Sequence, residues 1–214
     1  MVDIFDEVEE ELRAERTQKF LRKYGGLLLA ACLLVIGAAT GWKGWEWYQV
    51  RQDSEAAARY LAAAARSEGP SRAEAITAFE ALAGAAPDGY RVLSRLRAAG
   101  LRAESGDLAG ASALWDQVAA DKAVDPLLRD LASLTWCLYH ADQGDPALVE
   151  ARLQPLAAPG NTWRSMAAEQ LAVLDLRAGR ADAAKVRLKK LAEDTTAPSG
   201  VRGRAGALLE RMGG

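Results

Sequence analysis

Apolar residues follow three different patterns along the chain, one after another. In the first twenty-three residues Ile4, Val8 and Leu12 recur every four positions with Phe5 beside them, a narrow stripe on a charged segment. That spacing predicts an amphipathic helix over 1–23. From Tyr24 to Trp42 the chain reads YGGLLLAACLLVIGAATGW, nineteen residues without a charge. As a helix rising ~1.5 Å per residue it would span roughly 28 Å, close to the ~30 Å hydrocarbon core of a bilayer. Its glycines, Gly25, Gly26, Gly37 and Gly41, suit a transmembrane helix better than a soluble one. After Gln52 the pattern becomes Ala- and Leu-rich segments at helical spacing, separated by Gly, Pro and Asp, without strand-like alternation.

The third region repeats. Four of its segments align: SRAEAITAFEALAGAAP, DLAGASALWDQVAAD, DPALVEARLQPLAAP and RADAAKVRLKKLAED. Each holds a small or β-branched anchor (Ala75, Ala111, Val149, Ala184) and a bulky residue four later (Phe79, Trp115, Leu153, Leu188). An aliphatic residue follows after three more (Leu82, Val118, Leu156, Leu191), and the anchors lie 36, 38 and 35 residues apart. A turn precedes each segment, at Gly69-Pro70, Gly106-Asp107, Gly144-Asp145 and Gly179-Arg180. A proline follows each one, at Pro87, Pro126, Pro159 and Pro198. Physically this reads as a helical hairpin built four times. Glycine ends the first helix in a left-handed turn, the second helix turns its stripe inward, and proline stops the hairpin. A period of about 34 with this order of small, bulky, aliphatic and proline resembles the tetratricopeptide repeat. The closing GVRGRAGALLERM reads as a capping helix. The predicted fold class is all-α, a single N-terminal transmembrane helix followed by a tetratricopeptide-like α-solenoid of about four hairpins plus the cap. The predicted parts are a cytosolic helix over 1–23, a transmembrane helix over 24–42, an interfacial aromatic linker over 43–52 and a repeat domain over 53–214.

Charge orients this arrangement. Arg13, Arg16, Lys19, Arg22 and Lys23 precede the charge-free span, and only Lys43 and Arg51 lie at similar distance after it. Basic flanks stay cytoplasmic, so the N-terminus is expected in the cytoplasm and the repeats in the periplasm, anchored in the inner membrane. Trp42, Trp45, Trp47 and Tyr48 read as a membrane-interface belt. The segment before the span is longer and more acidic than a signal-peptide n-region, which favours an uncleaved anchor. The formal charge of −2 falls within the first twenty-three residues, which hold seven acidic and five basic groups. A neutral repeat region has no electrostatic footprint for nucleic acid. Cys32 and Cys137 are too few for a disulfide framework, and His140, the only histidine, lacks partners for a metal site. No hydrolase, phosphate-loop or dinucleotide motif is present. No catalytic residue, cofactor, metal or small-molecule substrate is therefore expected.

Stacked hairpins present a face lined by their first helices, which typically takes a partner segment. The residues expected there are Leu93, Leu96, Leu131, Leu134, Leu138, Met166 and Val173. The acidic opening helix, the span ending GWKGWEWY and the stretch YRVLSRLRAAGLRAESGDLAGASALWDQVAAD together resemble the YfgM-like ancillary subunits of the SecYEG translocon. That resemblance implies a non-enzymatic binding protein. Its partners would be the Sec translocon, a membrane-anchored periplasmic chaperone and nascent secreted chains, with a role in export and folding. An envelope scaffold coordinating cell-wall or division complexes is the alternative reading.

Overall fold

Nine α-helices and one short 3-10 turn account for the regular structure among residues 4–213, which the computed structural model describes. The helices are α1 (Ile4–Ala65), α2 (Arg72–Ala85), α3 (Asp88–Glu104), α4 (Leu108–Ala120), α5 (Pro126–His140), α6 (Pro146–Leu156), α7 (Arg164–Arg177), α8 (Ala181–Glu193) and α9 (Ser199–Arg211). The chain divides into two compact units, Met1–Ser54 and Glu55–Gly214. The side chains of 1–21 and of Gly25, Leu27, Leu28, Ala31 and Cys32 lie outside the described residues. With them go the Ile4, Phe5, Val8 and Leu12 stripe, the basic residues Arg13, Arg16 and Lys19, and the Cys32 thiol.

The first unit is drawn from α1. Helix runs unbroken through 24–42 and through 43–52, so the aromatic segment expected as a linker is itself helical. Leu33, Leu34, Val35 and Ile36 are all exposed. Four consecutive helical positions point in four directions, so apolar surface goes all the way round the helix here. Trp42, Trp45, Trp47 and Tyr48 are exposed as well. The Arg51 guanidinium sits 5.5 Å over the Trp47 ring, a cation–π contact. Among the described residues no helix is long and apolar enough to cross a membrane. The separate transmembrane helix expected over 24–42 is thus not seen as such, and five of its side chains fall outside the description.

The second unit is a stack of hairpins. The last turns of α1 pair with α2, and α3 with α4, α5 with α6 and α7 with α8 follow, α9 closing the row. Each second helix turns three residues fully inward: Ala75, Phe79 and Leu82 on α2, and Ala111, Trp115 and Val118 on α4. On α6 they are Val149, Leu153 and Leu156, and on α8 Ala184, Leu188 and Leu191. The small anchor lets the paired first helix approach, and the bulky residue fills the wedge beside it. The core is one row of apolar clusters rather than a single centre. Tyr60 of α1 packs edge-on against Phe79 at 5.1 Å in the first, and Trp115 stands in the largest.

Turn chemistry is local and legible. Gly69, Gly106 and Gly179 take positive φ of 77°, 88° and 74°, where a side chain would be strained. Gly144 does not. It is glycine because a Cβ there would lie 2.6 Å from the His140 carbonyl oxygen. Asp107, Asp125 and Asp145 accept hydrogen bonds from the amides of Gly110, Leu127 and Ala147, capping α4, α5 and α6. The Gly110 amide, with Arg102 beside it, holds the Asp107 carboxyl below its usual range. Three of the prolines expected to stop hairpins instead start the next first helix. Pro126 opens α5, while Pro87 and Pro198 are the N-caps of α3 and α9. A fixed φ and a missing amide cost nothing in the first turn of a helix, which has no partner for that amide.

Polar contacts tie each hairpin to the next. Arg102 meets Glu80, Arg152 meets Asp116 at 2.7 Å, and Arg180 meets Glu150 at 3.2 Å. The cap is fastened by Arg204, which makes two 2.6 Å bonds to the buried Glu169 carboxylate of α7. Asp175, also buried on α7, accepts from Arg180 and Arg187.

Candidate functional site

Each first helix after α1 has one uncovered side that carries apolar residues. On α3 that side carries Leu93, Arg97 and Gly100, at i, i+4 and i+7. Leu93 is 40% exposed, and Arg97 is exposed with no hydrogen-bond or ion-pair partner among the described residues. On α5 the open side carries Leu127, Leu131 and Leu138, the last 39% exposed. On α7 it carries Val173, half-buried, with the exposed Arg177 four residues on donating to the Asp142 carbonyl oxygen.

The seven residues expected to line this face therefore separate. Leu93, Leu131, Leu138 and Val173 stand on it, exposed or half-buried. Leu134 does not belong there: at 1% exposure it is core, in one cluster with Ala132, Trp136, Cys137 and Leu171. Leu96 and Met166 pack half-buried against the same cluster, Met166 bridging to the one formed by α8 and α9. Angle around the helix is not the whole reason: Leu127 and Leu134, seven residues apart, differ by only about 20° and yet are 43% and 1% exposed, so the level along the helix axis decides burial as well. Two exposed leucines stand outside the expected set: Leu127, which lies one turn before Leu131 and is recoverable from that spacing, and Leu61 on the last turns of α1.

The chemistry elsewhere is structural. The His140 ring stacks on Trp136 with centroids 3.8 Å apart, its Nδ1 lying 2.8 Å from the Trp136 carbonyl oxygen and its Nε2 3.2 Å from the Ser112 hydroxyl. The Arg152 guanidinium lies 3.9 Å from the Trp136 ring centroid. Burial pushes the Cys137 thiol up to about 11, which leaves it a small hydrophobe facing the Val149 carbonyl. A cleft of about 240 Å³ lies between the start of α3 and the α4–α5 turn, with Arg91, Arg95, Asp121 and Asp125 around Val92 and Leu128. Asp121 and Asp125 accept from the local amides of Ala123 and Leu127, and Asp88, also on the cleft, pairs with Arg91 at 3.0 Å. Among the described residues no group of three His, Cys, Asp or Glu side chains is placed to hold a metal.

Helical hairpins with a shared packing rule and an open first-helix side define an interaction array. A tetratricopeptide repeat-like domain matches residues 18–148, which takes in the charge-free helix and the first two hairpins. No curated protein and no solved structure matches the chain. The match covers more than half of the sequence, and the chain belongs to the tetratricopeptide repeat-like domain family.

Proposed function

We propose that the chain is a membrane-anchored, non-enzymatic scaffold whose repeats lie on the periplasmic side of the inner membrane. There they serve the Sec translocon, a membrane-anchored chaperone and emerging secreted chains. The observation that carries the binding role is the open first-helix side, where Leu93, Leu127, Leu131 and Leu138 give apolar surface to a partner. Repeat arrays bind through such surfaces without needing a catalytic group.

Support for the anchor comes from the sequence of 24–42 and from the exposure of Leu33, Leu34, Val35 and Ile36 on every side of α1. A helix apolar all round requires an apolar surrounding. The family match begins at residue 18, before that segment, so the family pattern includes it together with the hairpins. The flanking Trp42, Trp45, Trp47 and Tyr48 suit the headgroup level, and the basic residues before the span favour a cytoplasmic N-terminus. The specific partners follow from the sequence resemblance to translocon-associated subunits.

The test is isolation of the full chain from native membranes in mild detergent, with mass spectrometry of co-eluting proteins. Translocon and chaperone subunits are expected with the wild type and are lost with Leu93→Asp/Leu138→Asp, which places charges on the open side. Recovery of the chain from the soluble fraction, or of cell-wall or division proteins in place of export factors, overturns the proposal.

A further inference from the structure

On α2 and α4 the fifth residue after the small anchor faces forward, toward the next hairpin, and there Glu80 meets Arg102 and Asp116 meets Arg152. On α6 that position is the exposed Gln154. Glu150, one residue after its anchor, likewise reaches forward to Arg180. At these positions the acids look forward and the arginines look back, while a longer pair, Arg72 to Glu104 at 4.0 Å, runs the other way beside the first joint. On α8, the last second helix, the same two positions hold the opposite charge, Lys189 and Lys185. Neither lysine, nor the neighbouring Lys190, has a hydrogen-bond or ion-pair partner among the described residues. Between them, two residues after the anchor, stands Val186, where the earlier repeats have Thr77, Ala113 and Ala151. Val186 is 69% exposed, more than any other large apolar side chain of the second unit.

We propose that Lys185, Val186 and Lys189 form a docking surface on α8 for an acidic, amphipathic helix of a partner protein, with carboxylates on the lysines and an apolar residue on Val186. The occupant follows from charge. The groups that meet these two second-helix positions in this chain's own hairpins are arginines, so another such hairpin would bring like charges together at Lys185 and Lys189. An acidic helix makes the pairs that each earlier joint makes, with the signs exchanged. This surface belongs to the second-helix layer and is independent of the leucines on the first helices.

The probe is a pair of designed peptides with one leucine stripe and the same length, one flanked by glutamates and the other by lysines. Binding to the full-length chain is followed by fluorescence anisotropy at low ionic strength, where charge pairs are least screened. The glutamate peptide is expected to bind and the lysine peptide to fail. Lys185→Glu/Lys189→Glu should weaken the glutamate peptide about tenfold or more and transfer preference to the lysine peptide. Lys189→Glu alone should give part of the shift, and unchanged circular dichroism shows that the variants fold. Equal binding of both peptides, or glutamate-peptide binding indifferent to the substitutions, overturns the proposal. So does binding to phosphatidylglycerol vesicles in place of the peptide, or self-association that the double substitution abolishes.

Discussion

Two leucines four residues apart, Leu134 and Leu138, show what a sequence pattern carries and what it omits. In sequence they are equivalent members of one apolar stripe; in the fold one is 1% and the other 39% exposed. A first helix is covered on several sides by different neighbours, so its apolar arc is wide and its open edge has no compositional mark. A second helix has a narrower, regular burden, and Ala111, Trp115 and Val118 sit at the same three offsets as their counterparts in the other hairpins. These buried residues should dominate stability. Trp115→Ala removes a side chain at 1% exposure and should cost about 3–5 kcal/mol in chemical unfolding, whereas Leu93→Ala should stay within about 0.5 kcal/mol. Cys137 gives a pH-dependent counterpart. Its folded-state value lies above its unfolded one, so the unfolded chain ionises first as pH rises. Its contribution is complete below pH 9.0 and is lost between there and about 11, which thermal unfolding of wild type against Cys137→Ala should resolve.

Among the elements, the second helices and their turns were the most readable, because cap and turn residues act over a few positions. Gly106 and Asp107 announce the end of α3 and the start of α4 side by side, one through its positive φ, the other through its bond to Gly110. Gly106→Ala places a side chain at φ 88° and should cost about 1 kcal/mol, measured as a lowered midpoint of unfolding with unchanged slope. Pro159 follows its helix as expected, but the other three prolines start a helix in place of stopping one. Pro126 begins α5, since sequence order alone does not say whether a proline between two helices ends one or starts the other. Forward-facing charges were hidden for a different reason. Asp116 and Arg152 lie thirty-six residues apart, and their pairing is fixed by how hairpins stack.

At the scale of the molecule, an all-helical array built by repetition follows from the sequence, and the family match is consistent with it. The anchor and the partners rest on the charge-free segment, its flanks and the resemblance, as proposed above. Each hairpin touches only its neighbours, the first helices keep one side uncovered along the row, and the proposed binding rests on that side. Site-specific photocrosslinking in living cells tests it most directly. A benzophenone side chain is placed at Leu93 or Leu138 on the open side and, as control, at Thr77 or Ala113 on the exposed side of second helices. Discrete protein adducts are expected from Leu93 and Leu138 and none from Thr77 and Ala113. Adducts of equal yield from all four positions, or none from the two leucines, would contradict it.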